Sequence, residues 1–421
     1  MPSRRCESCG AELSRFALDH VCPTCYATAN RESPSVPVQR LTPAMWLWST
    51  PDASAALATR DLRIILRTYR RLNRLSQDRL AVLLGYDKTY VSMIETGRRT
   101  IKDVGTRRHI AGVLGLPAHV LGVTDREDVD FAAMIQFGDS TVRLAEIARK
   151  AGRAVDAVNE LWPLVARLEA RVAAGHAEWD TLVLLGQART ALGVSLGTVL
   201  PEERLSAAAR WTGKGLLVAE RLGDRALLAH ALRMHGNELR KAEHTGAAVL
   251  RLQRALQVSE DNEGRGAALA LLSRAAGELG DPTLFDQAVS AYRNVLDHHD
   301  GREMLFNPFT FHEIHLRGLI STARAAEAAR LLNADPVNAL PLAPQWHVIE
   351  RVTAGEVLLA AGERDGATEA LRVALKAAES HRLPHQVQRA IRAAETARLD
   401  YVAMEGQAIL RRLRDMLTPT G

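Results

Sequence analysis

The sequence predicts an all-α protein in three parts: a small cysteine module, a five-helix head and a long helical body. Three observations carry that prediction. Ala, Leu and Arg are plentiful and aromatics make up only 5% of the 421 residues, a balance that favours helices over a β-sandwich. From Asp61 onward, apolar residues fall at helical spacing between Gly, Asp and Pro punctuation, with no convincing strand run. From Ala145 onward, small and bulky positions recur at fixed intervals, as in stacked helix pairs.

At roughly 150 residues per domain the length allows about three domains. Their boundaries are set at 1–30 for the cysteine module, 31–56 for a Pro-rich linker, 57–123 for the head and 124–421 for the body. Charge separates the parts. Residues 1–120 hold 18 Lys and Arg against 10 Asp and Glu, a balance of +8, and the remainder holds 36 against 39, a balance of −3. A basic head on a nearly neutral body is the electrostatic footprint of a polyanion-binding domain joined to something else. No apolar run reaches the roughly 18 residues needed to cross a bilayer. The most apolar stretch, Leu182 to Leu196, is interrupted by Gln187 and Arg189. The start, Met1 to Cys6, lacks the apolar core of a secretory signal, so a cytoplasmic protein with no membrane partner is expected.

All four cysteines stand in the first 25 residues. Cys6-x2-Cys9 and Cys22-x2-Cys25, with twelve residues between them, form two knuckles whose four thiolates complete a tetrahedral Zn2+ shell. Gly10 permits the turn after the first pair, and Pro23 stiffens the second. A redox-active pair is the competing reading, but it normally sits at a helix start within a βαβ pattern, which is absent. The zinc is read as structural, since a 30-residue module with so few apolar residues needs the metal to fold. Arg4, Arg5 and Arg15 either add a DNA or protein contact or are solvated. In the linker, punctuated by Pro34, Pro37, Pro43 and Pro51, Trp46 and Trp48 either dock onto the next domain or offer a nucleic-acid stacking surface.

The head reads helix by helix. Leu62, Leu66 and Tyr69 line one face of the first helix. Ser76 caps a second that begins at Gln77 and buries Leu80, Ala81 and Leu84, and Gly85 ends it in the left-handed conformation. Asp87 caps a third, Lys88 to Glu95, with Val91 and Ile94 inward and Gly97 after it. A fourth runs from about Val104 to Leu114, and Pro117 opens a short fifth. Two helices joined by a short glycine turn, with small Ala81 where they cross, make a helix-turn-helix.

The phrase LSQDRLAVLLGYDKTYVSMIETGRRTI resembles the XRE class of phage-repressor-like regulators. Its landmarks stand at Leu75-Ser76-Gln77, Leu80-Ala81, Leu84-Gly85, Val91-Ser92, Ile94-Glu95 and Gly97-Arg98-Arg99. The resemblance covers about 60 residues of 421. It implies that Gln77 approaches a phosphate, and that Lys88, Thr89 and Tyr90 reach base edges in the major groove, with Met93 one turn on. It also implies that Ser92, Arg98, Arg99 and Thr100 contact backbone phosphates, and that Arg70 and Glu95 form a bracing ion pair. Long, aromatic Tyr90 and apolar Met93 depart from the usual reading face, so the operator is not read by analogy.

In the body, Gly236, Ala248, Leu252 and Ala255 are spaced 12, 4 and 3 residues apart, and Gly355, Ala367, Leu371 and Ala374 repeat that spacing. Ala276, Ala288, Tyr292 and Val295 fit, as do Ala145, Ala157, Leu161 and Leu164. This resembles the tetratricopeptide repeat, with a departure: Ala248 to Ala288 is 40 residues rather than 34. About six TPR-like pairs stacked as a solenoid are expected. Regulators that join such a head to such a body dimerise through the body and sense a peptide, so the resemblance implies a homodimer and a peptide or small-molecule effector. Phe306, Phe309, Phe311, His312 and His315 form either a ligand patch or a core helix start.

His298-His299-Asp300 and His312-x2-His315 lack further ligands at metal spacing, and Gly213-Lys214-Gly215 lacks the context of a phosphate loop and reads as a helix-end glycine pair. No enzyme is expected. The reading that emerges is a sequence-specific regulator of transcription on double-stranded DNA. Its rival is a protein-interaction scaffold whose head binds a protein.

Overall fold

Side-chain caps set the starts of the short helices at the N-terminal end. The computed structural model describes residues 51–116, 118–123, 126–173, 177–299, 305–333 and 343–416, in which every regular element is helical. The four cysteines, the arginines near them, and Trp46 and Trp48 lie outside the described residues, as do Asp300 and Pro117.

The first helix, α1 (Pro51–Ala58), begins inside the segment expected to be linker. Proline is well suited to a first helical position, where its missing N–H loses no bond. Ala53 and Leu57 of α1 are buried in the core of the head. Helices α2 (Leu62–Leu72), α3 (Gln77–Leu84), α4 (Lys88–Glu95) and α5 (Val104–Leu114) follow. Their caps are Asp61, Ser76, Asp87 and Asp103, each accepting a hydrogen bond from a backbone N–H of the first turn. A 3-10 turn, Ala118–Leu121, stands where the short fifth segment was expected. Ile65, Leu66, Leu80, Leu84, Val91, Ile94, Ile110 and Leu114 form the core. Burying one such side chain stabilises by about 1.5–3 kcal/mol. Leu62 is only half-buried, and Ile65 takes the inward place beside Leu66.

The body is built from helix pairs. The first are α6 (Arg126–Lys150) with α7 (Ala154–Ala173), α8 (Trp179–Val199) with α9 (Leu205–Leu222), and α10 (Arg225–Lys241) with α11 (Thr245–Val258). There follow α12 (Asn262–Leu279) with α13 (Pro282–His298), and α14 (Pro308–Ser321) with α15 (Ala325–Asn333). Last come α16 (Pro344–Ala360) with α17 (Arg364–Ser380), and α18 (Pro384–Thr396) with α19 (Asp400–Asp415). Among the described residues these are seven pairs, against the six expected.

The repeating small residues mark the crossings within pairs. A Cβ on Gly236 would stand 2.7 Å from Leu252, and one on Gly355 would stand 2.8 Å from Leu371. Both leucines are fully buried, so the glycine is what lets the two helices approach. The pair α8–α9 crosses closer still: a Cβ on Gly193 would meet the Thr212 backbone nitrogen at 2.7 Å. Gly213 and Gly215 lie within α9 rather than at a helix end. Helix α8 is long and apolar enough to cross a membrane by composition, with a mean hydropathy of 1.3, which differs from the sequence reading. Yet 72% of that stretch is buried within the body, so its apolarity serves the core.

The chain of pairs curves until its far end meets its beginning. Gln388 on α18 accepts a hydrogen bond from the Glu202 backbone at 2.8 Å. Arg392 pairs with Glu202, and Arg414 with Glu203 at 2.8 Å.

Candidate nucleic-acid interface

The turn between α3 and α4 is three residues long, Gly85 to Asp87. Gly85 adopts φ +72°, a left-handed conformation that glycine accepts without strain. Asp87 then starts α4 by accepting from the Tyr90 N–H at 2.8 Å. This geometry crosses α4 over α3 and turns the first residues of α4 to solvent.

A polar clasp fixes α4 in place. Arg70 on α2 holds Glu95, at the end of α4, through two bonds of 3.0 and 3.2 Å. Gln77, at the start of α3, donates to the same carboxylate at 2.7 Å. Glu95 is 2% exposed, so three helices converge on one buried charge. The Gln77 side chain is thereby committed inward, and what α3 turns to solvent at its start is backbone N–H groups and Asp78.

The remaining candidate residues form the outer face. Lys88 and Thr89 are exposed on the first turn of α4. Lys88 Nζ lies 2.9 Å from Asp78, but both side chains are 60% exposed, and such a pair contributes only about 0–1 kcal/mol. Tyr90 is half-buried, its ring 4.7 Å from that of Tyr86 and covered by the Arg99 guanidinium at 4.4 Å. Ser92 and Met93 are half-buried further along. Past Gly97, at φ +76°, the chain doubles back so that the Arg99 N–H meets the Met93 carbonyl at 3.0 Å. Arg98, Arg99 and Thr100 stand exposed on that turn. The structure thus brings Lys88, Thr89, Tyr90, Arg98, Arg99 and Thr100 to one end of the head and turns Gln77 into the clasp. Sequence reasoning missed Asp78 and Tyr86, whose partners lie across the turn.

Residues 61–124 match the family described as a helix-turn-helix domain. The head is a helix-turn-helix domain. Such a domain suggests DNA binding or regulation, and the crossing of α3 and α4 is its geometry. No curated protein matches the chain. One solved structure similar to it is described as "Circular tandem repeat protein with novel repeat topology and enhanced subunit contact surfaces". It is 16% identical, with 86% of this chain and 85% of that one covered, and its TM-score of 0.19 is too low to carry an argument.

Elsewhere, the aromatic segment of the body resolves into core. Phe306 is 1% exposed, Asn307 caps α14 through the Thr310 N–H, and Tyr292 donates its hydroxyl to the Leu305 carbonyl at 2.9 Å. His315 sits against Phe285 and Phe311, where burial lowers its imidazole to about 4. Among the described residues no three His, Cys, Asp or Glu side chains are grouped to hold a metal ion.

Proposed function

We propose that the chain is a sequence-specific DNA-binding regulator of transcription of the XRE class, working in the cytoplasm as a homodimer rather than as an enzyme. The single observation that carries the reading is the exposed end of α4, where Lys88, Thr89 and Tyr90 stand beside the Arg98–Arg99–Thr100 turn on a head braced by Glu95. Cations there meet phosphates, and Thr89 and Tyr90 meet base edges in the major groove. Ser92 and Met93 lie at the margin of that contact, and Gln77 contributes through the backbone at the start of α3.

Support for the dimer comes from α6, where Phe137, Leu144 and Ile147 are each at least 60% exposed along one helix, an apolar stripe that a second copy would cover. The TPR-like body then couples an effector, a peptide or a small molecule, to the spacing of two heads, which requires that the effector prefer one dimer geometry. The four cysteines hold a structural Zn2+; near-zero metal per chain in the purified protein would refute that.

The scaffold reading draws on Val82, 75% exposed, and Leu83, 44% exposed, on the outer side of α3. Gel shifts on genomic fragments separate the two. Replacing Lys88→Ala together with Arg98→Ala should weaken retention on duplex DNA at least tenfold and flatten its salt dependence by about two counterions. Equal retardation of wild type and variant removes the assignment.

A further inference from the structure

The first helices of the pairs face inward and enclose a cavity of about 520 Å³, within the range of about 300–1,000 Å³ typical of small-molecule sites. Its wall is unusual for a protein interior because it is built from arginines. Arg240, Arg317 and Arg274 come from α10, α14 and α12, and all three line the cavity. Arg240 and Arg317 share one acid, Glu278, each at 2.6 Å. Burial works to raise the Glu278 carboxyl, but Arg240, Arg317 and Arg274 outweigh it and hold it down to about 2. Arg389 from α18 pairs with Glu356 at 2.5 Å, and Lys241 with Glu238 at 2.9 Å.

Arg274 is the exception. It is 7% exposed, and among the described residues no carboxylate lies within ion-pair distance of it. Its Nε has no hydrogen-bond partner, and its guanidinium rests 5.4 Å from the ring centre of Trp346. Burial first, then Arg240 and Arg317, drives its pKa well below the ordinary range against the weaker pull of Glu313 and Glu278. Further cavity groups are likewise without a hydrogen-bond partner: His385 Nδ1, Gln386 Oε1 and Arg389 Nη1. A buried cation facing other cations is strongly unfavourable unless something supplies negative charge. The residues that line the cavity include nine Arg and Lys against six Asp and Glu.

We propose that this cavity binds a small organic anion, a carboxylate or a phosphate monoester carrying a flat apolar group, with Arg274 as its charge partner and Trp346 as the adjoining aromatic face. Gln386 accepts from a hydroxyl or N–H on the same molecule. The inference deepens the sensing role proposed above and rests on it. It favours a small molecule over an extended peptide because the contacts of Glu202 and Glu203 with α18 and α19 close the concave face along which a peptide would lie.

The test is thermal unfolding of the full chain, without DNA, at fixed ionic strength. The probes are phenylacetate, phenyl phosphate, benzylamine and tetraglutamate. Phenylacetate or phenyl phosphate at millimolar concentration should raise the melting temperature by about 3 °C or more, the larger response naming the acid, while benzylamine should not. Arg274→Met and Gln386→Leu should each weaken that response at least tenfold. With no probe present, Arg274→Met should melt no lower than wild type, because it removes a buried charge that has no carboxylate in ion-pair contact. A response to neither aromatic anion, a response to tetraglutamate alone, or an undiminished response in both variants overturns the proposal. Should Arg274→Met fail to fold, Gln386→Leu decides. Operator binding is read separately by gel shift, so loss of DNA binding with anion binding intact faults the regulator reading and leaves this one standing.

Discussion

Arginine is used in opposite ways in the head and in the body. In the head, Arg98 and Arg99 stand in solvent past the end of α4, and Lys88 makes only an exposed, exchangeable pair. In the body, Arg240, Arg274 and Arg389 are each less than a tenth exposed and face the interior. The first arrangement suits a long polyanion met from outside, with affinity that falls steeply as salt rises. The second holds its charges away from bulk solvent, where each contact is less screened and a misplaced charge costs more. The one carboxylate the head buries, Glu95, belongs to its clasp and leaves the outer face unencumbered.

The comparison can be broken at three strengths. The largest expected effect is at the clasp. Glu95→Ala leaves Arg70 and Gln77 without their shared partner and should destabilise the head by about 3 kcal/mol, as when one member of a buried pair is removed. Chemical denaturation followed through the head measures it, and a loss below about 1 kcal/mol would show that the clasp does not hold α4. Next is the crossing at Gly236. Gly236→Val drives a side chain into Leu252 and should cost the body about 1–3 kcal/mol while leaving the head's DNA affinity unchanged. Equal damage to both would mean that the two regions fold as one unit.

The smallest effect concerns pH. His235 lies buried against Thr212, and burial, aided by Arg251, lowers its imidazole to about 3. A histidine held neutral in the fold contributes stability that is complete above its unfolded pKa of about 6.5 and lost as pH falls below it, because the unfolded chain takes up the proton first. At about pH 5.5 the loss from this residue should be about 1.4 kcal/mol. His235→Gln should blunt that decline in thermal melts, and an identical acid profile for wild type and variant would rule it out.

How much was legible in the sequence follows from how far apart the partners are. The head was readable because its determinants are local. Ser76, Asp87 and Gly85 act within three residues of themselves, and the starts and ends they imply are those observed for α3 and α4. Helix α1 is hidden in the sequence because Pro51 signals a break and a helix start alike. In the body, Gly236 with Leu252 and Gly355 with Leu371 were found because each pairing closes within one hairpin. The cavity was not found. Its arginines recur near the ends of successive inner helices, at 240, 274 and 317, which is a signal in principle. What turns them inward is the curvature of the whole body, secured by contacts such as Glu202 with Arg392 across 190 positions of chain.

That distant seam has a mechanical meaning. It is made of Glu202, Glu203, Gln388, Arg392 and Arg414 at the surface, with side chains such as Arg414 and Glu203 nearly half exposed, so each link is weak and salt-sensitive. The body is therefore a ring with a buckle rather than a welded hoop. Neighbouring pairs are joined instead by shared apolar cores, one of them continuous from α6 to α12, so added salt strains the seam before it touches the stack.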